Sequence, residues 1–253
     1  MSTPEYVYGA HAVAALLAAR PASVSALAVA DSAERRCAEL LARATEAGIT
    51  VERVTRQALD RRLPGRNHQG VVATVQGGSC VMEEKALPDF LAALTAPAFL
   101  LVLDGVQDPH NLGACLRSAD AAGVHAVILP KDRAAGITPV VHKVACGAVQ
   151  SMPIFTVTNL ARSLRVLREA GIWLYGASDS APQPLYDADL TGPLALVLGG
   201  EGSGLRRLTR ELCDFELAVP MAGTVSSLNV SVAAGVLLFE AVRQRRGGIK
   251  NNI

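Results

Sequence analysis

The apolar positions of the chain fall into two blocks. In the first, residues 11–19 read as a short apolar helix and 24–29 as a strand. Residues 33–47 have helical spacing and stop before Gly48, a residue type that favours a helix C-cap. Thr50–Val54 reads as a strand, 57–63 as a short helix and 70–75 as a β-rich strand. QGGSCVMEEKALP then combines paired glycines, a serine and a charge run, which predicts a linker over 77–87. Beyond it, PAFLLVLD, HAVILP, PIFTV, IWLYGA, LALVLG and FELAVP read as strands. Helices are expected from about Leu112, near 140–150, and at 159–170, 205–212 and 229–244. Near-continuous apolar strands separated by helices are the pattern of a mostly parallel sheet covered on both faces.

Half of the 253 residues are hydrophobic and 19% are charged, enough to fill a core rather than stay disordered. The length suits one large domain or two unequal ones, and the linker favours two. No apolar run approaches the roughly 18 residues of a spanning helix. The start, MSTPEYVYGAHAVAALLAAR, has no basic leader before its apolar stretch, so the expectation is a cytoplasmic protein without a signal peptide. Cys37, Cys80, Cys115, Cys146 and Cys213 are scattered and contain no CxxC, and the five histidines show neither HxxxH nor HExxH. Neither a disulfide framework nor a metal site is expected.

The net charge of +1 argues against a nucleic-acid partner until it is divided at the linker. Residues 1–76 carry 9 arginines against 7 acids, whereas 77–253 carry 15 basic residues against 16 acids. Arg53, Arg56, Arg61, Arg62 and Arg66 are opposed within their own stretch only by Asp60, and His68 follows. This reads either as a solvated helix face or as an RNA-backbone contact, for which planar guanidinium donors suit phosphate.

Three polar loops follow strands. In LDGVQDPHNLGACLRSADAAG, Asn111 can cap the next helix and Arg117 lies nearly two turns into it. In LALVLGGEGSGL, four glycines surround Glu201; the third glycine of G-x-G-x-x-G is missing and no GK[ST] is present, so neither a dinucleotide fingerprint nor a P-loop is read. In VPMAGTVSSLNVSVAAG, Ser227 and Asn229 are plausible caps. Each has a bland reading as turn or cap, but together they set polar groups at strand C-termini, where open α/β sheets build sites.

Asn111-x-Gly113-x-x-x-Arg117, LGGEGSGL and VPMAGTVSSLNVSVAAG resemble motifs 1, 2 and 3 of the SpoU/TrmH family of RNA ribose 2′-O-methyltransferases. DPHNLGACLRSADAAGVHAVILP and NVSVAAG…FEAVRQR are similar to the bacterial members that methylate a guanosine in the peptidyl-transferase centre of 23S rRNA. The resemblance spans residues 5–245. It implies an α/β fold with a trefoil-knotted, mostly parallel sheet over 88–253 that binds S-adenosyl-L-methionine (AdoMet). It also implies a small N-terminal α/β RNA-binding domain over 1–76, a homodimer, and 23S rRNA or a large-subunit precursor as partner, with no metal and no membrane. Carried over by position, Asn111, Arg117, Glu201, Ser227 and Asn229 would be catalytic. AdoMet would rest on Leu198, Gly199, Gly200, Val219, Met221 and Leu228. Arg53, Arg56, Arg61, Arg62, Arg66 and His68 would meet RNA.

The implied reaction moves a methyl group from a sulfonium to a ribose 2′-oxygen, which demands alignment and loss of the hydroxyl proton. Two roles stay open for Arg117: a transiently neutral base, although guanidinium is a poor one, or a charge that grips phosphate and stabilises a developing alkoxide. Other readings are a tRNA or different rRNA target, an RNA-binding assembly factor without chemistry, and a nucleotide-dependent oxidoreductase.

Overall fold

The computed structural model describes residues 5–19, 21–75, 80–202 and 204–248. The chain divides into two compact units, Met1–Cys80 with Cys146–Ser151, and Val81–Ala145 with Met152–Ile253. The first contains β1 (Glu5–Tyr8), α1 (Ala10–Ala19), β2 (Val24–Ala30), α2 (Ala38–Glu46), β3 (Thr50–Val54), α3 (Arg56–Arg62) and β4 (Val71–Val75). Its sheet has the order β1-β4-β2-β3. β4 runs antiparallel to both neighbours, and β2 pairs parallel with β3. Leu16, Leu27, Val29, Leu59 and Val71 are among the side chains that fill this core.

The charge run read as part of a linker is structured where it is described. Residues 77–79 lie outside the described residues, but β5 (Val81–Glu83) pairs parallel with β8 (Ile154–Val157). A 3-10 turn, Glu84–Ala86, leads into α4 (Leu87–Ala92). Glu84 explains the order: its carboxylate accepts from Thr158 N at 3.1 Å, Thr158 Oγ1 at 2.9 Å and Arg162 Nε at 2.8 Å. Burial opposes its charge, but the Arg162 and Thr158 donors outweigh burial and hold the carboxyl below its ordinary range.

The second unit continues through β6 (Phe99–Asp104), α5 (Pro109–Ala121), β7 (Ala126–Pro130) and α6 (Pro139–Val144). The helix expected near 140–150 is broken, because Cys146 (φ 51°) and Gly147 (φ 102°) turn left-handed. The short α7 (Ala148–Ser151) after this break belongs to the first unit. After β8 come α8 (Leu160–Glu169), β9 (Trp173–Ala177), β10 (Gln183–Pro184), β11 (Leu194–Gly199), α9 (Arg207–Leu212), β12 (Phe215–Ala218) and α10 (Val230–Gly248).

The eight strands lie in the order β10-β12-β9-β11-β6-β7-β8-β5, and every neighbouring pair is parallel. All residues of β6 are buried, as expected for a central strand covered on both faces. The chain leaves β6 towards β8, crosses to β9, and inserts β11 between β9 and β6. This reversal makes a switch point at which the loops after neighbouring strands diverge and leave a crevice. Beside it, α5 packs closely on α6: a Cβ at Gly113 would lie 2.7 Å from Val144 Cβ, so this motif glycine is a packing requirement. Among the described residues no helix is long and apolar enough to cross a membrane.

Candidate active site

Three loops at strand C-termini bring their polar side chains together. In the first, Asp108 caps α5, accepting from His110 N at 3.0 Å, and Pro109 opens the helix. Asn111 is therefore not the cap expected from sequence. It lies inside the first turn, with its amide free to reach outward. Asn229 does cap α10: its Oδ1 accepts from Ser231 N at 2.9 Å and from Ser231 Oγ at 2.7 Å.

The same Asn229 donates through Nδ2 to Asn111 Oδ1 at 3.0 Å, and Asn111 donates through Nδ2 to Glu201 Oε1. The direction of this chain follows from its ends. A backbone N–H only donates and a carboxylate only accepts, so both amide orientations are set. Glu201 stands at the tip of a glycine loop closed by a bridge between Gly200 and Gly204. A Cβ at Gly200 would lie 2.5 Å from Gly105 O, so the loop lies against the chain leaving β6. Cys115, on α5, is no nucleophile: burial first, and the Glu201 charge second, push its thiol up to about 12.

Beside this chain lies a cavity of about 520 Å³ at the C-terminal ends of β9, β11 and β12. Leu198, Gly199, Gly200, Val219, Met221 and Leu228, the residues expected to hold a cofactor, all line it, with Glu201, Ser227 and Asn229. Its size falls in the range of small-molecule sites. Apolar side chains suit a flat base and the glycine backbone allows close approach, so the lining fits AdoMet. Ser178, Asp179 and Ser180, which also line it, carried no motif and were not foreseen.

Arg117 is exposed and has no hydrogen-bond or ion-pair partner among the described residues. It is thus not drawn into the Asn–Glu chain, and Ser227 reaches the cavity without joining that chain either. The arginines in the first unit differ among themselves. Arg53 pairs with Glu34 at 2.8 Å and Arg62 with Glu52 at 3.0 Å, while Arg56, Arg61 and Arg66 are exposed. His68, expected beside them as an RNA contact, is instead buried, with only 1% of the residue exposed. Its Nδ1 accepts from Gly70 N at 3.1 Å, so Nε2 carries the proton and donates to Asp60 Oδ1 at 2.9 Å. The ring holds the turn into β4 and does not face solvent.

A family model described as the SpoU rRNA Methylase family matches residues 98–239, and one described as RNA 2'-O ribose methyltransferase substrate binding matches residues 6–78. The chain belongs to the SpoU rRNA methylase family. It is 55% identical over 242 residues to the 23S rRNA (guanosine-2'-O-)-methyltransferase RlmB of Photorhabdus laumondii subsp. laumondii, covering 95% of this chain and 98% of that one. To RlmB of Escherichia coli it is 53% identical over 242 residues, covering 95% and 99%. The solved SpoU methyltransferase AviRb from Streptomyces viridochromogenes, in complex with AdoMet, superposes with a TM-score of 0.75 at 28% identity, covering 97% of this chain and 92% of that one. The α/β architecture described above is thus that of the SpoU methyltransferases.

Proposed function

We propose that this protein transfers a methyl group from AdoMet to the ribose 2′-hydroxyl of a guanosine in 23S rRNA, in the peptidyl-transferase centre, in support of ribosome maturation. The carrying observation is the adjacency of the cavity to the Asn229–Asn111–Glu201 chain, with Glu201 a member of both. The near-complete length match to the RlmB relatives supports the substrate.

When bound, AdoMet supplies a methyl group already activated by its sulfonium. The chain's own task is alignment and charge. Asn111 occupies one oxygen of Glu201, leaving the other to accept a hydrogen bond from the 2′-hydroxyl. That carboxylate would take the hydroxyl proton, while AdoMet held in the cavity would supply the methyl group by breaking its sulfur–carbon bond and leaving as the neutral thioether. Arg117 stands in solvent rather than in an apolar pocket, which supports the charged role: it grips a target phosphate and steadies negative charge on the acceptor oxygen. Ser227 and Asn229 hold the third loop against the nucleotide. Arg56, Arg61 and Arg66 supply phosphate contacts from the first unit, with Arg53 and Arg62 contributing less because each already has a carboxylate. A homodimer, the trefoil knot and a cytoplasmic location belong to this reading through the family resemblance.

The test combines labelled AdoMet, unmodified 23S rRNA and mapping of 2′-O-methyl sites in a deletion strain. Wild-type protein should label one guanosine that is unmethylated in the deletion strain. Glu201→Ala should keep fold and AdoMet binding but lose most turnover. Normal methylation by Glu201→Ala refutes the assignment.

A further inference from the structure

We propose that Asp104, through Arg206, is a positioning residue that sets the place of Glu201, resting on the role for Glu201 proposed above. Asp104 ends β6 and is the register partner of Gly199 at the end of β11. Its main-chain oxygen accepts from Gly200 N at 3.1 Å, at the entry to the glycine loop. Its side-chain Oδ2 accepts from Arg206 N at 3.0 Å, at the exit. One residue thus grips both ends of the loop that carries Glu201.

The second oxygen gives the clue to its purpose. Asp104 Oδ1 is buried without a hydrogen bond and faces Arg206 Nη1 at 3.4 Å, while the Asp104 side chain is 0% exposed. A buried carboxylate with one oxygen lacking a hydrogen bond is a poor way to gain net stability, because desolvation offsets much of its attraction to the guanidinium. Its return is geometric. Arg206 also donates through Nη2 to Arg133 O at 3.3 Å, so the guanidinium ties the loop after β7 to the same point. Between the two grips, Gly200 bridges Gly204 and Gly202 turns left-handed (φ 77°). Glu201 itself is exposed, and its carboxylate accepts a hydrogen bond from Asn111. The loop backbone, anchored at Asp104, therefore decides whether that carboxylate meets Asn111 and the substrate.

Asp104→Asn keeps the shape and an acceptor for Arg206 N but removes the charge that holds the guanidinium. Single-turnover methyl transfer should fall roughly tenfold to a hundredfold with the KM for RNA unchanged, since misplacement acts on alignment. Hydrogen exchange in the 199–206 peptide should quicken, while melting temperature stays within a few degrees. In a Glu201→Ala background, Asp104→Asn should cost no further rate, because the residue it positions is gone. Arg206→Gln, at a side chain 41% exposed, repeats the test should Asp104→Asn not fold. Undiminished transfer in the folded variant, unchanged exchange, or a rate loss that multiplies with that of Glu201→Ala overturns the inference. Absence of methyl transfer in the wild type refutes the proposed function instead, and the exchange measurement still decides the anchoring.

Discussion

Asn229 Nδ2 lies 3.0 Å from Asn111 Oδ1, joining residues 118 positions apart in sequence. Through that bond the cap of one helix orients a side chain in the first turn of another, and the second amide then presents its donor to Glu201. The three motifs are therefore one hydrogen-bonded unit, and damage to any member should be felt at the carboxylate.

Asn111→Asp replaces the donor to Glu201 with a second carboxylate. Transfer should fall about a hundredfold or more, the scale for loss of one preorganised donor. Asn111 does not line the cavity, so S-adenosylhomocysteine affinity by calorimetry should stay unchanged.

For Arg117 the charged role makes a graded expectation. Arg117→Lys keeps a cation and should hold transfer within about tenfold of wild type, while Arg117→Ala should lose roughly a hundredfold. The pH–rate profile of the lysine variant should keep its shape. A profile that loses a basic limb on substitution would point to proton abstraction by Arg117.

Gly200→Ala sets a Cβ 2.5 Å from Gly105 O, a backbone atom that cannot swing away. The glycine loop must shift, and it lines the cavity. Calorimetry should record at least about tenfold weaker S-adenosylhomocysteine binding, a cost of the size expected for overpacking.

The first unit offers a contrast between exposed arginines and a buried histidine. Replacing Arg56, Arg61 and Arg66 together with alanine should lower the slope of log affinity against log salt by roughly 2 to 3 in RNA titrations. His68→Ala should leave that slope unchanged and instead destabilise the fold by about 2 kcal/mol, because Gly70 N loses its acceptor and Asp60 its donor.

Glu84 predicts a pH dependence. Its carboxyl is held below the ordinary range in the folded chain, with burial opposing and the Arg162 and Thr158 donors prevailing. Its stabilisation is therefore present above the unfolded carboxyl pKa and lost as pH falls through the lower folded value. Denaturant melts should show Glu84→Gln less stable than wild type by about 2 kcal/mol at neutral pH. The two proteins should converge under acid; an unchanged gap at low pH would refute the role of the charge.

Much of the layout was legible because its signals are local. The strands PAFLLVLD and LALVLG carry their burial pattern within a few residues, and each motif lies in one loop. β5 was missed because a three-residue edge strand is too short for a period and its neighbours are charged. The Arg53–Arg66 cluster also reads as freer in sequence than it is in the fold. Glu34 and Glu52, which neutralise Arg53 and Arg62, lie outside that stretch.

By itself the sequence determined most of the strands and helices of the sheet and the three motifs, since residue type and spacing act over a turn or a strand. Only the tertiary structure decided which polar groups meet. The register of β6 beside β11 sets Asp104 opposite Gly199, and the capping of α10 aims Asn229 at Asn111. The burial of His68 follows from the packing of a loop against its own unit. These relations depend on long-range pairing, where hydrogen-bond geometry and burial choose among partners that local sequence leaves equivalent.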